Sequence, residues 1–375
     1  MRTIFVLTGG GVAPALNPTL YGVIQEAKRQ NFRILGGIKG WASLVENAGV
    51  IELTDQNIEP IKNQGGTFLK TSRTNPFKKP SSCKRLRRRV KELEVDAIVA
   101  IGGDDTLGAA CRLYQEFNLP LVGIPKTIDN DLAGTFWTPG YPTAAYHMIR
   151  FVKAITRTAY ATGKIYIVEC FGGKAGWLTA TAALGGAKIM IVPERKINLE
   201  HLFSVLSERY KKFGFLVIAI SHTADLGWEV KDVCKGKKDQ FGIQRKYLIS
   251  LPLRQLIEER TGTETKVAFP GNFFSALDPI KRDRDVAIEL GKKAVQLISG
   301  EQFGQMVCLK ESDSEIDISA IPLQKAVSQY RCLEERYFDF ERYLPTDAFR
   351  EYLGKVLKVN FFAKNSYNNF LSKLK

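Results

Sequence analysis

The stretch "AIVAIGGDDTLGAACRLYQEFNLPLVGIPKTIDND", residues 97–131, contains two short apolar runs with a helical pattern between them. The first run, 97–101, leads into a glycine loop, and the second, 121–124, leads into a loop that carries a lysine and two aspartates. Strands that alternate with amphipathic helices are typical of a parallel sheet covered by helices. Since ligands bind at the carboxyl ends of such strands, both loops are candidates for a functional site.

The same order of strand, loop and helix recurs along the chain. An apolar run at 3–7 precedes the loop "TGGGVAPALN", and a second series begins near 143 and includes a helix expected near 244–261. The pattern restarts too often for one sheet. We therefore expect an α/β protein with two similar αβα domains, mostly parallel sheets and a cleft between the domains. The predicted boundaries are 1–142 plus about 276–325 for the first domain, 143–275 for the second, and 326–375 for a helical C-terminal extension.

The composition is that of a globular protein with a basic surface. The chain has 375 residues, of which 45% are hydrophobic and 25% charged, and its formal net charge is +15. This balance favours anionic partners. The densest basic cluster, "KRLRRRVK" at 84–91, fits the solvated face of a helix or a nucleic-acid surface, and no nucleic-acid-binding motif supports the second interpretation. We therefore do not expect nucleic acid among the partners.

The sequence gives no indication of a disulfide framework, a zinc site or a membrane segment. The six cysteines are scattered, with no CxxC pair and no histidine at metal-ligand spacing. No run is long and apolar enough for a membrane span, and no signal-peptide pattern precedes the first strand. We expect a cytoplasmic protein without a membrane partner.

Two of the loops that follow predicted strands suit anionic ligands. The loop "TGGGVAP" offers consecutive backbone N–H groups to an anion, and the alternative is a tight strand-to-helix turn. It is not a Walker A loop, because no Gly-Lys-Ser/Thr follows. The loop "GGDDT", 102–106, places two acids at a helix start, where they cap the helix, hold a metal ion or hydrogen-bond a phosphate-bound water. Mg²⁺ is the favoured ion, because it takes one or two carboxylates plus substrate oxygens.

The loop "PKTIDND", 125–131, combines the charges that phosphoryl transfer to an alcohol requires. Such a transfer needs positive charge near the phosphate and a carboxylate that accepts the hydroxyl proton. Lys126, together with Arg73 of "TSRTNP", can supply the first, and Asp129 the second. Asp131 can orient the base or the substrate, and Thr127 can hydrogen-bond the phosphate. The alternative is a capped turn with solvated acids.

The order of these motifs resembles that of the phosphofructokinase family of the non-ribokinase type. The segments that carry the resemblance are "LTGGGVAPALN" (7–17), "GGTFLKTSR" (65–73), "GGDDT" (102–106), "PKTIDND" (125–131), "VECFGGKAGWLTA" (168–180), "IVPE" (191–194) and "PGNFF" (270–274). The resemblance implies a donor-binding first domain, an acceptor-binding second domain and an active site between them. It also implies an acceptor site shared between subunits, so a homodimer or homotetramer is expected.

The resemblance further implies a role for each matching residue. Asp129 resembles the catalytic base and Asp131 its supporting acid, Arg73 the arginine that stabilises the transition state, and Asp104 the aspartate associated with Mg²⁺. Lys126 and Thr127 complete the implied transfer machinery. Donor-phosphate contacts are implied for Gly10, Gly11, Gly103, Asp105 and Thr106.

Two residues indicate pyrophosphate as the phosphoryl donor. ATP-using members of the family carry glycine where this chain has Asp105 and Lys126, and the pyrophosphate-using branch resembles this chain at both positions. An aspartate beside the donor's third phosphate position repels and obstructs an α-phosphate, whereas a lysine supplies charge to a small, dense pyrophosphate. We therefore expect a Mg²⁺-dependent phosphotransferase that uses pyrophosphate, with ATP as the alternative donor.

The acceptor half departs from the family pattern. Gly173 stands where the family has a sugar-contacting arginine, and His222 where it has an acid. Two lysines replace arginines that bind the sugar phosphate, and this exchange is not neutral where a bidentate contact is needed. The expected acceptor-binding residues are Lys164, Phe171, Gly172, Gly173, His222, Lys266, Asn272 and Phe273. They predict a less charged, more aromatic pocket and argue against ordinary fructose 6-phosphate as the acceptor. The alternatives are an ATP-dependent kinase of a sugar, polyol or nucleoside, and a non-catalytic regulatory or interaction paralogue.

Overall fold

The computed structural model describes residues 2–54, 58–227, 235–238, 244–246, 248–312 and 316–359, with the backbone alone for 235–238 and 244–246. The strands, in chain order, are β1 Thr3–Thr8, β2 Arg33–Gly37, β3 Val50–Glu52, β4 Ala97–Gly102, β5 Leu121–Pro125, β6 Ile165–Cys170, β7 Ile189–Ile191, β8 Leu216–Ser221, β9 Lys235–Lys238, β10 Gln244–Lys246, β11 Thr265–Ala268, β12 Gln305–Glu311, β13 Ile316–Pro322, β14 Phe338–Asp339 and β15 Leu344–Pro345.

The α-helices are numbered in the same way. They are α1 Leu16–Arg29, α2 Ala42–Val45, α3 Pro80–Glu92, α4 Asp104–Phe117, α5 Tyr141–Thr162, α6 Trp177–Ala180, α7 Leu199–Phe213, α8 Ser250–Thr261, α9 Lys281–Ser299, α10 Leu323–Val327 and α11 Asp347–Leu357. Short 3₁₀ helices cover Glu59–Ile61, Thr181–Gly185 and Gly271–Ser275.

Seven strands form the larger sheet, in the order β13-β12-β5-β4-β1-β2-β3. The five inner strands pair in parallel, whereas the edge strands β3 and β13 are antiparallel to their neighbours. Because β1, β4 and β5 are parallel neighbours, their carboxyl ends lie side by side. The loops that follow Thr8, Gly102 and Pro125 therefore meet at one edge of the sheet.

Four strands form the smaller sheet, in the order β11-β6-β8-β7, and all of its pairs are parallel. Cys170 of β6 lies opposite Ser221 of β8 at the carboxyl ends of the two central strands. The loops "FGGKAG" and "HTADLG" start there. The predicted α/β class with mostly parallel sheets is confirmed, although the two sheets differ in size.

Successive side chains of β1 point to opposite faces of the larger sheet, and both faces are buried there. Ile4 and Val6 belong to one apolar cluster, and Phe5 and Leu7 to another. The first cluster also contains Val168 of β6, so one continuous core fills the space between the two sheets. A strand that is buried on both faces requires an unbroken apolar run, which is the pattern of β1.

The helix predicted near 244–261 is wrong at its N-terminal end. Gln244–Lys246 is a strand that pairs antiparallel with Lys235–Lys238, and the helix begins at Ser250. The buried carboxylate of Glu169 fixes this start. It accepts hydrogen bonds from the N–H groups of Leu248 and Ser250, both at 2.9 Å, and from the Ser250 hydroxyl at 2.5 Å. A distant carboxylate thus satisfies amides that a helix N-terminus leaves free.

The predicted helical extension is helical only in part. α11 is a helix, but β14 and β15 form an antiparallel hairpin ahead of it. The carboxylate of Asp339 accepts hydrogen bonds from the N–H groups of Glu341 and Arg342, at 3.1 and 2.8 Å. Such a local bond between side chain and backbone competes with helix formation. The rest of the predicted extension, 360–375, lies outside the described residues.

The predicted division into domains remains a proposal. The larger sheet draws its strands from 3–125 and 305–322, and the smaller sheet from 165–268. Within the ranges described above, the structure contains no helix with the length and apolar character needed to cross a membrane.

Candidate functional site

The loop after β1 is one of three that meet at the carboxyl edge of the larger sheet. It bends at Gly10, which has φ +83°, and the Gly10 N–H donates a hydrogen bond to the Ser72 carbonyl at 3.0 Å. Thr106 of α4 packs so closely that a Cβ at Gly9 would lie 2.4 Å from its hydroxyl oxygen. The Gly10 amide, predicted to bind the donor, is therefore engaged within the protein, and Gly11 is the exposed glycine of this loop.

The second loop places two carboxylates at a helix N-terminus. Gly103 is the N-cap of α4, and Asp104 and Asp105 lie in its first turn. Both aspartates are partly exposed. The positive end of the helix dipole stabilises negative charge at this position. The predicted metal and donor residues are thus held at the same edge of the sheet as Gly11.

Lys126 is buried at this edge. Its side chain is 2% exposed, and its ammonium donates a hydrogen bond to the Gly11 carbonyl. Burial lowers the pKa of Lys126 to about 8, against the opposing charge of Asp129. The positive charge of Arg73 also lowers the pKa of Lys126, which places the Arg73 guanidinium near this ammonium. Two neighbouring cations are suited to a dense anion, because each is more stable once the anion binds.

Asp129 and Asp131 form a carboxylate pair in the third loop, in which Asp131 is buried and Asp129 is half-buried. The Asp129 N–H donates a hydrogen bond to the Thr127 hydroxyl at 3.1 Å, which turns the chain after β5. Burial raises the pKa of both carboxyls, and the positive charge of His222 opposes this effect at Asp129. The pKa of Asp131 is raised further by the negative charges of Asp129 and Asp104. A carboxylate with a raised pKa is a better proton acceptor, as a general base requires.

Gly173, in the loop after β6, lies directly against both carboxylates. A Cβ at this position would lie 2.7 Å from Oδ2 of Asp131 and 2.8 Å from Oδ2 of Asp129, and the backbone has φ +56°. The Thr223 hydroxyl donates a hydrogen bond to the Gly173 carbonyl at 2.7 Å, and the Lys174 N–H donates to the Asp131 carboxylate. Glycine alone permits such a close approach in this conformation. A side chain at this position would require the two carboxylates or the loop to shift.

His222 approaches Asp129 from the smaller sheet. It follows β8, and its N–H and its Nδ1 both contact the Cys170 carbonyl, at 2.9 and 3.2 Å. The Phe171 ring packs edge-on against the imidazole, with 5.4 Å between the ring centroids. These contacts fix the ring close enough to Asp129 for a charge on the imidazole to oppose the rise that burial causes in the pKa of that carboxyl. The structure thus places four predicted acceptor residues at the carboxyl end of the smaller sheet. They are Phe171, Gly172, Gly173 and His222.

A segment of the C-terminal extension, for which the sequence predicted no role, joins the site. The Arg331 N–H donates a hydrogen bond to the Asp131 carbonyl at 2.8 Å, and the Trp177 indole N–H donates to the Arg331 carbonyl at 2.9 Å. The Leu333 N–H donates to the Glu194 carboxylate at 2.8 Å. The segment therefore connects the catalytic loop to the smaller sheet. Because it contributes mainly backbone groups, no side-chain motif indicated it.

Tyr352 of α11 fixes Asn130, the residue between the two carboxylates that the sequence predicted to be catalytic. Its hydroxyl accepts a hydrogen bond from the Asn130 amide at 2.8 Å. The amide oxygen of Asn130 accepts the Thr138 N–H at 3.1 Å, and Asn130 has φ +59°. Both bonds hold Asn130 in the left-handed conformation that L-residues disfavour. The directions of Asp129 and Asp131, on either side of it, are set by this arrangement.

Lys164 and Lys266 are not brought to the catalytic carboxylates within this chain. Lys164 directly precedes β6, and Lys266 pairs with Tyr166 near the amino end of the same strand. Both ammonium groups contact the Glu264 carboxylate at 2.6 Å. The two lysines thus lie at the edge of the smaller sheet opposite to His222. An acceptor role for them requires a second subunit, which the resemblance implies.

Asn272 and Phe273 lie in the 3₁₀ helix Gly271–Ser275, and both are exposed. Phe273 is 56% exposed, and its ring centroid lies 6.5 Å from that of His147 on α5. The structure therefore places Phe273 beside the N-terminal part of α5. The acceptor role of these two residues stays a prediction.

Comparisons with known proteins agree on one family. The phosphofructokinase family profile matches residues 3–298. The pyrophosphate–fructose 6-phosphate 1-phosphotransferase of Dictyoglomus thermophilum is 36% identical over 322 residues, which are 85% of this chain and 92% of that protein. The ATP-dependent 6-phosphofructokinase 3 of Streptomyces coelicolor is 33% identical over 344 residues, 90% of this chain and 98% of that protein.

A solved structure supports the fold. The crystal structure of the pyrophosphate-dependent phosphofructokinase of Nitrosospira multiformis superposes with a TM-score of 0.83, covers 95% of this chain and 92% of its own, and is 19% identical. The predicted family, its likeness to pyrophosphate-dependent members and the predicted enzyme class, a phosphotransferase with an alcohol group as acceptor, are confirmed. The chain belongs to the phosphofructokinase family.

Proposed function

We propose that this protein transfers a phosphoryl group from pyrophosphate to a hydroxyl of a sugar phosphate, with fructose 6-phosphate as the first acceptor to test. One observation carries the proposal. Lys126 is buried where the three loops meet, close to the carboxylates of Asp104, Asp129 and Asp131. Its ammonium and Arg73 neutralise the donor, and Asp129 accepts the proton of the attacking hydroxyl. Relatives named pyrophosphate–fructose 6-phosphate 1-phosphotransferase support both substrates.

The choice of donor rests on Asp105 and Lys126 rather than on overall similarity. Relatives named for either donor have similar identities, 36% and 33%. Asp105 lies in the first turn of α4, beside the proposed phosphate site. A nucleotide would have to place a further phosphate next to this carboxylate, which electrostatic repulsion disfavours. Pyrophosphate carries no such group.

The residues of the site suit a divalent cation. Burial raises the pKa of both Asp129 and Asp131, and the negative charge of Asp104 adds to this rise, so a cation beside Asp104 would reduce the repulsion among these carboxylates. In the described part of the chain, no three His, Cys, Asp or Glu side chains form a metal cage. Asp104 together with donor oxygens would hold Mg²⁺, since this ion takes few protein ligands. Mg²⁺ would neutralise charge on the transferring phosphate.

The acceptor pocket has an unusual recognition surface. Gly173 presents main chain to Asp129, where the family has an arginine, and His222 presents an imidazole in place of an acid. The pocket therefore contacts the reactive end of the acceptor with fewer charges than the family pattern provides. Lys164 and Lys266 of a neighbouring subunit would supply the cations for a sugar phosphate.

A panel of acceptors tests this part of the proposal. Purified protein is supplied with pyrophosphate and Mg²⁺, and the release of phosphate is followed with fructose 6-phosphate, fructose, a polyol and a nucleoside. We expect turnover with the sugar phosphate to exceed that with each uncharged acceptor, because only the sugar phosphate uses the two lysines. Turnover with an uncharged acceptor alone would contradict the proposed acceptor, and no product with any of them would favour a non-catalytic role.

Exchanging the two donor residues is expected to change donor preference. In Asp105→Gly combined with Lys126→Gly, the repulsion beside the third phosphate and the charge for pyrophosphate are both removed. The ratio of kcat/KM for pyrophosphate to kcat/KM for ATP should fall by about a hundredfold or more. Steady-state kinetics with both donors measure it. The single variants separate the two effects, and a double variant with an unchanged ratio would contradict the electrostatic argument.

The pH dependence of donor use should reflect Lys126. Its pKa is lowered to about 8 by burial, so half of the ammonium is lost near that pH and less remains as the pH rises. We expect kcat/KM for pyrophosphate to fall above about pH 8 in the free enzyme. Lys126→Arg keeps its charge throughout this range and controls for ionisation of pyrophosphate itself. An alkaline decline that is identical in wild type and Lys126→Arg would exclude Lys126 as its source.

A further inference from the structure

Lys174 extends from the loop after β6 towards the donor side of the site. Its N–H donates a hydrogen bond to the Asp131 carboxylate. Its ammonium donates to the Tyr330 hydroxyl and lies 3.6 Å from the centroid of that ring. Both side chains are exposed. A cation of the smaller sheet is thus anchored by a tyrosine of the C-terminal segment, next to the catalytic loop.

Tyr330 connects this cation to the donor loop. Its hydroxyl is within hydrogen-bond reach of the Asp104 carboxylate, and Leu132 and Tyr330 form an antiparallel β-bridge that fixes the segment beside the catalytic loop. A phenol accepts one hydrogen bond and donates another. The Lys174 ammonium, the Tyr330 hydroxyl and the Asp104 carboxylate therefore lie next to one another.

The charge on Lys174 is favoured by this environment. Partial burial lowers its pKa, but the hydrogen bond with Tyr330 and the charges of Asp104 and Asp105 outweigh burial and raise the pKa. The ammonium thus lies close to the carboxylates of the donor loop.

Carboxylates outnumber cations at the proposed donor site, which favours a third cation there. The proposed donor site has Lys126 and Arg73 as cations, and its carboxylates are Asp104, Asp105, Asp129 and Asp131. Pyrophosphate adds a dense negative charge to an edge where carboxylates already outnumber cations, so a further cation reduces the cost of binding it. Gly173 marks the loss of an arginine on the acceptor side. The next residue along the chain supplies a cation on the donor side.

We infer that Lys174 is a further donor-binding residue, whose ammonium contacts a phosphate of pyrophosphate bound beside Asp104, and that Tyr330 is the positioning residue that holds it there. The inference rests on the proposed function, because it requires pyrophosphate as the donor. It explains why the C-terminal segment reaches the donor side as well as the catalytic loop.

Calorimetric titration of pyrophosphate in the presence of excess MgCl₂ tests the inference without turnover. We expect Lys174→Met to weaken binding by about 10- to 100-fold, as loss of a charge-assisted contact does. Lys174→Arg keeps the cation and should retain most of the affinity. The matched control is Lys325→Met, which removes the same charge from an exposed lysine of α10 and should change the affinity by no more than about twofold. Both substituted lysines are exposed, and thermal melts check that the variants fold.

A double-mutant cycle tests the positioning role of Tyr330. Tyr330→Phe removes only the hydroxyl that holds the ammonium and should weaken pyrophosphate binding less than Lys174→Met does. Because Tyr330 acts through Lys174, the combined variant should bind no more weakly than Lys174→Met alone. Additive losses would show that Tyr330 does not act through Lys174 and would overturn this role. In kinetics, the KM for pyrophosphate should rise in Lys174→Met while the KM for the acceptor stays unchanged.

The failures of the two proposals are distinguishable. If the wild type binds and uses pyrophosphate but Lys174→Met binds it equally well, the inference on Lys174 is overturned and the proposed function stands. If the wild type binds no pyrophosphate, the proposed donor is wrong and the inference fails with it.

Discussion

Replacement of Asp129 by serine should lower kcat by about 10²- to 10⁴-fold, the usual contribution of a general base. The carboxylate is half-buried beside Asp131 and its pKa is raised by desolvation, so it is adapted to accept the hydroxyl proton. Serine retains the turn of the loop but cannot take the proton at neutral pH. Pyrophosphate binding should remain close to wild type, because Lys126, Arg73 and the glycine loop are unchanged. Single-turnover kinetics and donor titration measure the two quantities separately.

A surface aspartate provides the matched control for this variant. Asp317 is exposed on the edge strand β13, and Asp317→Ser should leave kcat unchanged. An Asp129→Ser enzyme with near-normal turnover would show that another group takes the proton. A variant that lost pyrophosphate binding as well would show that Asp129 is needed to assemble the donor site rather than to act as the base.

Adding a side chain at Gly173 should lower kcat by about a hundredfold, the scale of loss that a misplacement near 1 Å produces. The Cβ of alanine would lie 2.7 Å from Asp131 Oδ2 and 2.8 Å from Asp129 Oδ2, and φ is +56°. Either the catalytic pair or the loop must move. Gly173→Arg, which restores the residue of the family pattern, should be at least as damaging as Gly173→Ala. Steady-state kinetics with fructose 6-phosphate and pyrophosphate measure the loss.

Gly262 separates the clash from the backbone conformation. It has φ +66°, and an added Cβ would meet nothing within 4 Å. Gly262→Ala should therefore cost about 1 kcal/mol of stability, as a left-handed non-glycine residue does, without changing kcat. If Gly173→Arg raised kcat/KM for fructose 6-phosphate, the loop would be able to accommodate the family arginine, and the close approach would not govern the acceptor site.

The sequence was informative where function depends on side chains in consecutive residues. The loops after β1, β4 and β5 follow unbroken apolar runs, and parallel pairing brings such loops to one edge. The residue pattern was therefore sufficient to predict that Lys126, Asp129 and Asp131 lie together. Gly173 was predicted to depart from the family pattern, but its contact with both carboxylates could not be predicted, since it depends on how the two sheets pack against each other.

The C-terminal segment shows why the rest could not be predicted. Arg331 and Leu333 reach the site through backbone N–H groups, which almost any residue supplies, so no residue type signals the contact. The Tyr352 hydroxyl and the Asn130 amide meet across 222 positions of sequence separation. The hairpin at 338–345 was missed for a related reason, because the turn depends on two local hydrogen bonds to the Asp339 carboxylate within an otherwise helix-like pattern.

The central claim is that the site uses pyrophosphate and not ATP to phosphorylate a sugar phosphate. The direct measurement is the initial rate of the wild-type enzyme with fructose 6-phosphate and Mg²⁺, with pyrophosphate or ATP in parallel and phosphorylated sugar as the readout. We predict a kcat/KM for pyrophosphate that exceeds that for ATP by about a hundredfold or more, because Asp105 and Lys126 favour the small donor. A preference for ATP, or no phosphorylated sugar with either donor, would contradict the account.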